Sequence, residues 1–229
     1  MSVNVERHEI MSSSINSILE NHLQAALHCD DPSLWLFLLR ALAKGKPVSQ
    51  MSIAIALGMS LSAVQTALNA FRDIVYDDNE NIVACGLSLI PTPHCFQVNG
   101  RNLFTWCAFD ALMYPVALQQ TAQVESHCPV TGFAVRLTVT PKGVAFLDPL
   151  GAVISIVIPA AFAGCCSIRN TFCSQVHFLN SPQAADAWRA MHPEATILSV
   201  EDAWRLGSAI AHRRLAGEQS ERDKREVVC

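Results

Sequence analysis

Residues 133–140 read Phe-Ala-Val-Arg-Leu-Thr-Val-Thr, with Phe133, Val135, Leu137 and Val139 alternating against Ala134, Arg136 and Thr138. A two-residue period places the apolar side chains on one face of an extended chain, the mark of a half-buried strand. Residues 144–147 and 153–158 are further short strands, separated by the Asp148-Pro149…Gly151 turn, and residues 175–179 are another. Upstream, Asn99-Gly100 is a strong tight-turn signal, because both residues tolerate positive φ. Residues 104–118, FTWCAFDALMYPVAL, read as a helix capped by Thr105 and bent or ended near Pro115. Downstream, Ser181-Pro182 places proline at a first helical position, and Ser199-x-x-Asp202 resembles a capping box.

The first third has a different texture. Ile10, Ile15, Ile18, Leu19 and Leu23 fall near helical spacing. Residues 33–45 form a second apolar segment, opening after Asp31-Pro32 and stopping near Gly45 and Pro47. Residues 48–71 read as two short helices joined at Gly58, with Ser60 as N-cap of the second, which is a helix-turn-helix outline. The expected fold is therefore α+β. Residues 1–84 form a tri-helical, helix-turn-helix-like unit packed on a mainly antiparallel sheet domain with flanking helices at 85–216. Residues 217–229 are expected to be a frayed, charged tail.

Composition limits the function. Hydrophobic residues make up 51% of the 229 and charged residues 16%, so the chain is globular. A formal net charge of −4 gives no overall field toward nucleic acid or an anionic membrane, and neither is an expected partner. Residues 61–71, the candidate recognition helix, carry few basic side chains. The first eighteen residues lack the pattern of a signal peptide. The longest apolar stretch, 152–163, is about half of the ~20 residues that span a bilayer. The expected location is the cytoplasm, where the nine cysteines would stay reduced; their odd number and spacing form no disulfide ladder and no C-x-x-C motif.

Among those cysteines, Cys107 and Asp110 stand three apart on a predicted helix and share a face. A thiol in the first helical turn is expected to have its pKa lowered by the helix dipole, and an adjacent carboxyl can take a proton and return it elsewhere. Residues at these positions are equally compatible with a packed cysteine and an aspartate supporting the helix start. Cys173 lies at a predicted loop-to-strand junction. Packing is the default for a free cysteine, and it applies to Cys29, Cys85, Cys95, Cys128 and adjacent Cys165-Cys166; Cys229 lies in the tail. His177 and His127 are ordinary histidines on this reading.

The segments LFTWCAFDALMYP (103–115), ESHCPVTGFAVRLTVTP (125–141) and IRNTFCSQVHFLNSP (168–182) together resemble the organomercurial (alkylmercury) lyase family. The resemblance runs to roughly residue 216 and covers nearly the whole chain. It implies that Cys107 and Cys173 form the active thiol pair, that Asp110 completes it as proton carrier, and that all three surround the mercury of substrate and product. Cys128 is structural by the same resemblance, and Ser174 stands where some relatives carry a second cysteine. The helical N-terminal unit then packs on the catalytic unit and does not read DNA. The implied reaction is protonolysis of a carbon–mercury bond to a hydrocarbon and Hg²⁺, with no cofactor beyond reduced cysteines and external thiols. Small cellular thiols or a mercuric reductase would receive the metal. The alternatives are a non-catalytic thiol-based metal binder and a metal-sensing regulator.

Overall fold

The computed structural model describes residues 31–71, 73–157 and 167–227, together with Leu19, Asn21, Leu23 and Leu27. Leu19 and Leu23 are helical and buried, whereas Ile10, Ile15 and Ile18 lie outside the described residues.

Helix α1, Pro32–Leu42, starts as expected: proline occupies the first turn and the Asp31 carboxylate accepts the Leu34 N–H at 2.8 Å. Leu34, Leu36, Leu38, Leu39 and Leu42 point to several sides and all are buried, so α1 is enclosed rather than laid on a surface. Helices α2, Gln50–Leu57, and α3, Leu61–Ala70, are capped by Ser49 and Ser60 and meet at 107°. Gly58 makes the corner at φ +64, where a side chain would be strained. No single helix among the described residues is long and apolar enough to cross a membrane.

Eleven strands follow among the described residues. Eight form one sheet in the order β1-β2-β3-β5-β4-β6-β7-β8, with every neighbouring pair antiparallel. They are β1 Val75–Tyr76, β2 Ile82–Cys85, β3 Leu87–Ser88, β4 His94–Val98, β5 Arg101–Thr105, β6 Ala122–His127, β7 Ala134–Thr140 and β8 Gly143–Asp148. The sheet thus begins at Val75, ahead of the expected boundary at 84. Asn99 and Gly100, at φ +50 and +70, join β4 to β5 as their pairing signalled. In β7, Val135, Leu137 and Val139 are buried, but Phe133 is 68% exposed. Phe133 precedes the strand and closes the preceding turn, its carbonyl accepting the Cys128 N–H.

One face of this sheet is covered by α4, Ala108–Leu118, and by the last helix, α7, Val200–Val227. All eleven residues of α4 are buried. The two helices approach closely at Gly207, where a Cβ would lie 3.3 Å from that of Met113. A three-stranded antiparallel sheet, β10-β9-β11 (His177–Leu179, Val153–Ile156, Thr196–Ser199), carries helix α6, Pro182–Met191, against it. Between β9 and β10 lie the short α5, Ile168–Thr171, and a 3₁₀ turn, Cys173–Gln175.

Two expectations need correction. Residues 101–105 pair with β4 as a strand, so the helix starts at Ala108, its N-cap is Cys107 and not Thr105, and it runs through Pro115 to Leu118. The ladder drawn by the Asn99-Gly100 turn takes these residues before a helix can include them. The tail does not leave the fold at 217 either, because α7 continues to Val227. There Glu218 is buried and forms a two-pronged ion pair with Arg40 at 2.6 and 3.1 Å, and Gly217 sits against Pro32.

Candidate active site

The corner between β5 and α4 places the first thiol. Cys107 is extended (φ −149°, ψ 171°), as an N-cap must be, and its sulfur accepts the Asp110 N–H at 3.5 Å. Cysteine thus takes the N-cap place that serine, threonine or aspartate usually hold. The C-x-x-D spacing therefore has a local structural reason as well as a chemical one. Thr105, fully buried, donates its hydroxyl to the Cys107 carbonyl at 3.0 Å and fixes the corner from behind.

The second thiol arrives from far along the chain. The Ala108 N–H donates to the Val176 carbonyl at 3.2 Å, docking the 3₁₀ turn on the start of α4. Cys173 heads that turn, and its thiol points at the Asp110 carboxyl, Sγ to Oδ2 4.0 Å. The Cys107 sulfur, the Cys173 sulfur and one Asp110 oxygen all lie within 4.8 Å of one another. Cys107 is 0% exposed, Cys173 4% and Asp110 7%. Among the described residues no other group of three or more His, Cys, Asp or Glu has this ligand geometry.

Burial governs the charges. It pushes the Cys107 thiol well above the ordinary cysteine range, helped by the Cys173 side chain and the Asp110 charge; the Asp110 N–H pulls the other way and loses. The expected dipole-lowered thiolate at Cys107 is thus overturned, because one helix end does not compensate complete desolvation. A hydrogen bond from Cys107 draws the Cys173 thiol down, but burial and the Asp110 charge leave it raised. Asp110 is pushed up to about 6 by burial, despite hydrogen bonds from Cys107 and Tyr114 and the positive charge of Arg214. A carboxyl with that proton affinity is ionised at neutral pH yet suited to accept and return a proton.

Aromatic side chains flank both cysteines. Phe109 and Phe172 meet edge to face at 6.2 Å, and the Arg169 guanidinium lies 5.4 Å above the Trp106 ring. The arrangement is a buried cluster of two soft donors and one titrating oxygen, suited to a thiophilic metal. Sequence reasoning missed Tyr114 and Arg214. Tyr114 could have been found from its four-residue offset from Asp110. Arg214 carried no local signal, since α7 brings it in from the far end of the chain.

The remaining candidates lie elsewhere. Cys128 is buried in a second apolar cluster with Leu179 and Trp188. Burial raises its thiol, but the Thr131 hydroxyl and the N–H groups of Asn180, Thr131 and Val130 outweigh it, and the thiol ends lowered. His177 stacks on His94 and meets Trp188 edge to face, at ring distances of 6.0 and 5.1 Å, and His127 is exposed. Ser174 donates to the Asn170 carbonyl at 2.6 Å. Cys85 is buried and Cys95 exposed. Cys29, Cys165, Cys166 and Cys229 lie outside the described residues.

Comparison with known proteins adds a separate line of observation. The family model for alkylmercury lyase matches residues 87–212. An alkylmercury lyase of Streptomyces lividans is 46% identical, covering 82% of this chain and 86% of its own. One from Pseudomonas putida is 43% identical, covering 83% and 88%. A crystal structure described as the mercury-bound form of MerB2 superposes with a TM-score of 0.70 at 26% identity, over 84% of this chain and 98% of that one.

Proposed function

From the premise that this chain belongs to the alkylmercury lyase family, and so cleaves carbon–mercury bonds, we propose that Cys107, Cys173 and Asp110 perform the cleavage. The observation that carries this assignment is the convergence of two sulfurs and a carboxyl oxygen within 4.8 Å in a buried pocket.

An organomercury cation, R–Hg⁺, is captured first by one thiol, which forms a sulfur–mercury bond as its proton leaves to solvent. The second thiol adds to the same mercury, with Asp110 taking its proton. Two thiolates raise the electron density on mercury and on the attached carbon. The carbon–mercury pair then collects the proton held by Asp110, releasing R–H and leaving Hg²⁺ bound by Cys107 and Cys173, with the Asp110 carboxylate beside it. General acid transfer of this kind contributes ~10²–10⁴-fold, and holding donor and metal in one pocket supplies a further proximity effect. The thiols are protonated at rest, so the Asp110 carboxylate is the local acceptor for the proton that the second thiol must lose.

Turnover requires that Hg²⁺ leave. The reading assigns its removal to small cellular thiols or to a mercuric reductase, and it needs no resident cofactor. Reduced cysteines are essential to the scheme, which favours the cytoplasm as the site of action. Cys128 is assigned a structural role in the second cluster.

The direct test incubates the purified chain with phenylmercury and excess thiol and measures benzene. Catalytic benzene formation is expected, and it should vanish in Cys107→Ala and in Cys173→Ala. Near-wild-type benzene formation by Cys173→Ala would remove the two-thiolate scheme.

A further inference from the structure

Cys173 belongs to a short run of chain that is held at both ends. On its C-terminal side, the Val176 carbonyl accepts the Ala108 N–H at 3.2 Å, which pins the 3₁₀ turn to the start of α4. On its N-terminal side the pin is Asp73, which lies between α3 and β1, 94 residues before its partner Ser167. One Asp73 oxygen accepts the Ser167 hydroxyl at 2.5 Å, and the other accepts the Arg169 N–H at 3.2 Å. Between the two pins the run is tied to itself. The Ser167 hydroxyl oxygen accepts the Asn170 N–H at 3.1 Å, and the Ser167 carbonyl accepts the Thr171 hydroxyl at 2.7 Å. The Phe172 N–H donates to the Ile168 carbonyl at 2.9 Å, and the Ser174 hydroxyl to the Asn170 carbonyl at 2.6 Å. A displacement at Ser167 is therefore carried along the run to Cys173.

We propose that Asp73 is a positioning residue for carbon–mercury cleavage: its two oxygens hold α5 in place and, through it, the Cys173 sulfur in register with Cys107 and Asp110. The inference rests on the assignment of those three residues as the reacting set. Asp73 acts through Ser167 and Arg169. Its charge opposes ionisation of the Cys173 thiol, so what it contributes to the reaction is position. Capture of an organomercury compound needs one thiol, whereas cleavage and retention of the Hg²⁺ product need both in register. Loosening the tie thus has two opposite effects, slower cleavage and faster loss of Hg²⁺ to a competing thiol. Misplacement of about 1 Å costs on the order of 10²-fold in a proximity-dependent step.

The experiment preloads the full chain with one equivalent of phenylmercury and follows benzene release in a single turnover. In a second arm, the chain loaded with one equivalent of Hg²⁺ is mixed with excess dithiothreitol and transfer of the metal is timed. Asp73→Ala is expected to capture phenylmercury stoichiometrically, as the parent does, and to release benzene roughly 10–100-fold more slowly, the range for one hydrogen bond to a charged group. Its Hg²⁺ is expected to leave faster than the parent's. Asp73→Asn keeps the shape and one acceptor oxygen; it is expected to fall between the two and keeps the test available where the alanine chain does not fold. On a Cys173→Ala background, Asp73→Asn is expected to leave Hg²⁺ transfer unchanged, because the sulfur it positions is gone. A general loosening of the fold would speed transfer on both backgrounds. Benzene release by Asp73→Asn at or above the parent rate, loss of phenylmercury capture, or equal speeding of Hg²⁺ transfer with and without Cys173 each overturns the proposal. Failure of the underlying assignment reads differently: Cys173→Ala itself would then release benzene at the parent rate.

Discussion

Replacing Asp110 by asparagine should slow catalysis and make the variant's stability, relative to the parent, rise with pH. The carboxyl sits at about 6 in the folded protein against an ordinary 3.8, with burial as the largest cause. The folded state therefore binds this proton more tightly than the unfolded chain. The corresponding stability is fully present below pH 3.8 and is lost as pH rises through 6. Above that window the fold holds an ionised carboxylate in an apolar pocket. The shift of roughly two units corresponds to about 3 kcal/mol at 1.36 kcal/mol per unit. Asparagine does not titrate. The stability of Asp110→Asn relative to the parent should thus climb by about 3 kcal/mol between about pH 4 and pH 7, whatever constant offset the new amide introduces. For a chain of this size that corresponds to a relative rise of about 10 °C in melting temperature. Urea unfolding of both proteins under reducing conditions, repeated across that range, reads the difference directly, and groups common to both cancel. A difference that stays flat with pH would refute the claim that the fold carries Asp110 as a strained, ionised carboxylate. In activity the same variant should capture phenylmercury and release benzene ~10²–10⁴-fold more slowly.

Cys107→Ala and Cys173→Ala should each abolish benzene formation while the fold persists, checked by single-turnover assay beside circular dichroism. Cys128→Ala should lose about 1–3 kcal/mol in urea unfolding, because it leaves a gap in the second apolar cluster beside Leu179 and Trp188, with phenylmercury binding by the other thiols unchanged. Gly86→Ala should cost about 1–3 kcal/mol in urea unfolding from the positive φ, with the new methyl colliding with the Tyr114 hydroxyl.

Local chemistry was enough to read much of this molecule. The alternation of 135, 137 and 139, the Asn99-Gly100 turn, the Ser60 cap, the helix starts at Asp31-Pro32 and Ser181-Pro182 and the corner at Gly58 each depend on neighbours within a few residues, and all are realised. The Cys-x-x-Asp pair was legible for the same reason, since one helical turn fixes its geometry. Where local signals competed, the structure had to choose. Thr105 is a good helix cap, but pairing with β4 claimed it for a strand and passed the cap to Cys107. Gly217 and the charges after it read as a frayed tail until Arg40 and Pro32 met them across the fold.

The sequence by itself determined an α+β protein with one chemically suggestive turn, because hydrophobic period and capping are encoded at short range. Only the tertiary structure brought Cys173 across 63 residues to Asp110, placed Arg214 and Tyr114 around the same carboxyl, and sealed all of it from water. Burial is a property of the assembled core. No residue carries it alone, and that is why the Cys107 thiol is raised where the helix start predicted it lowered.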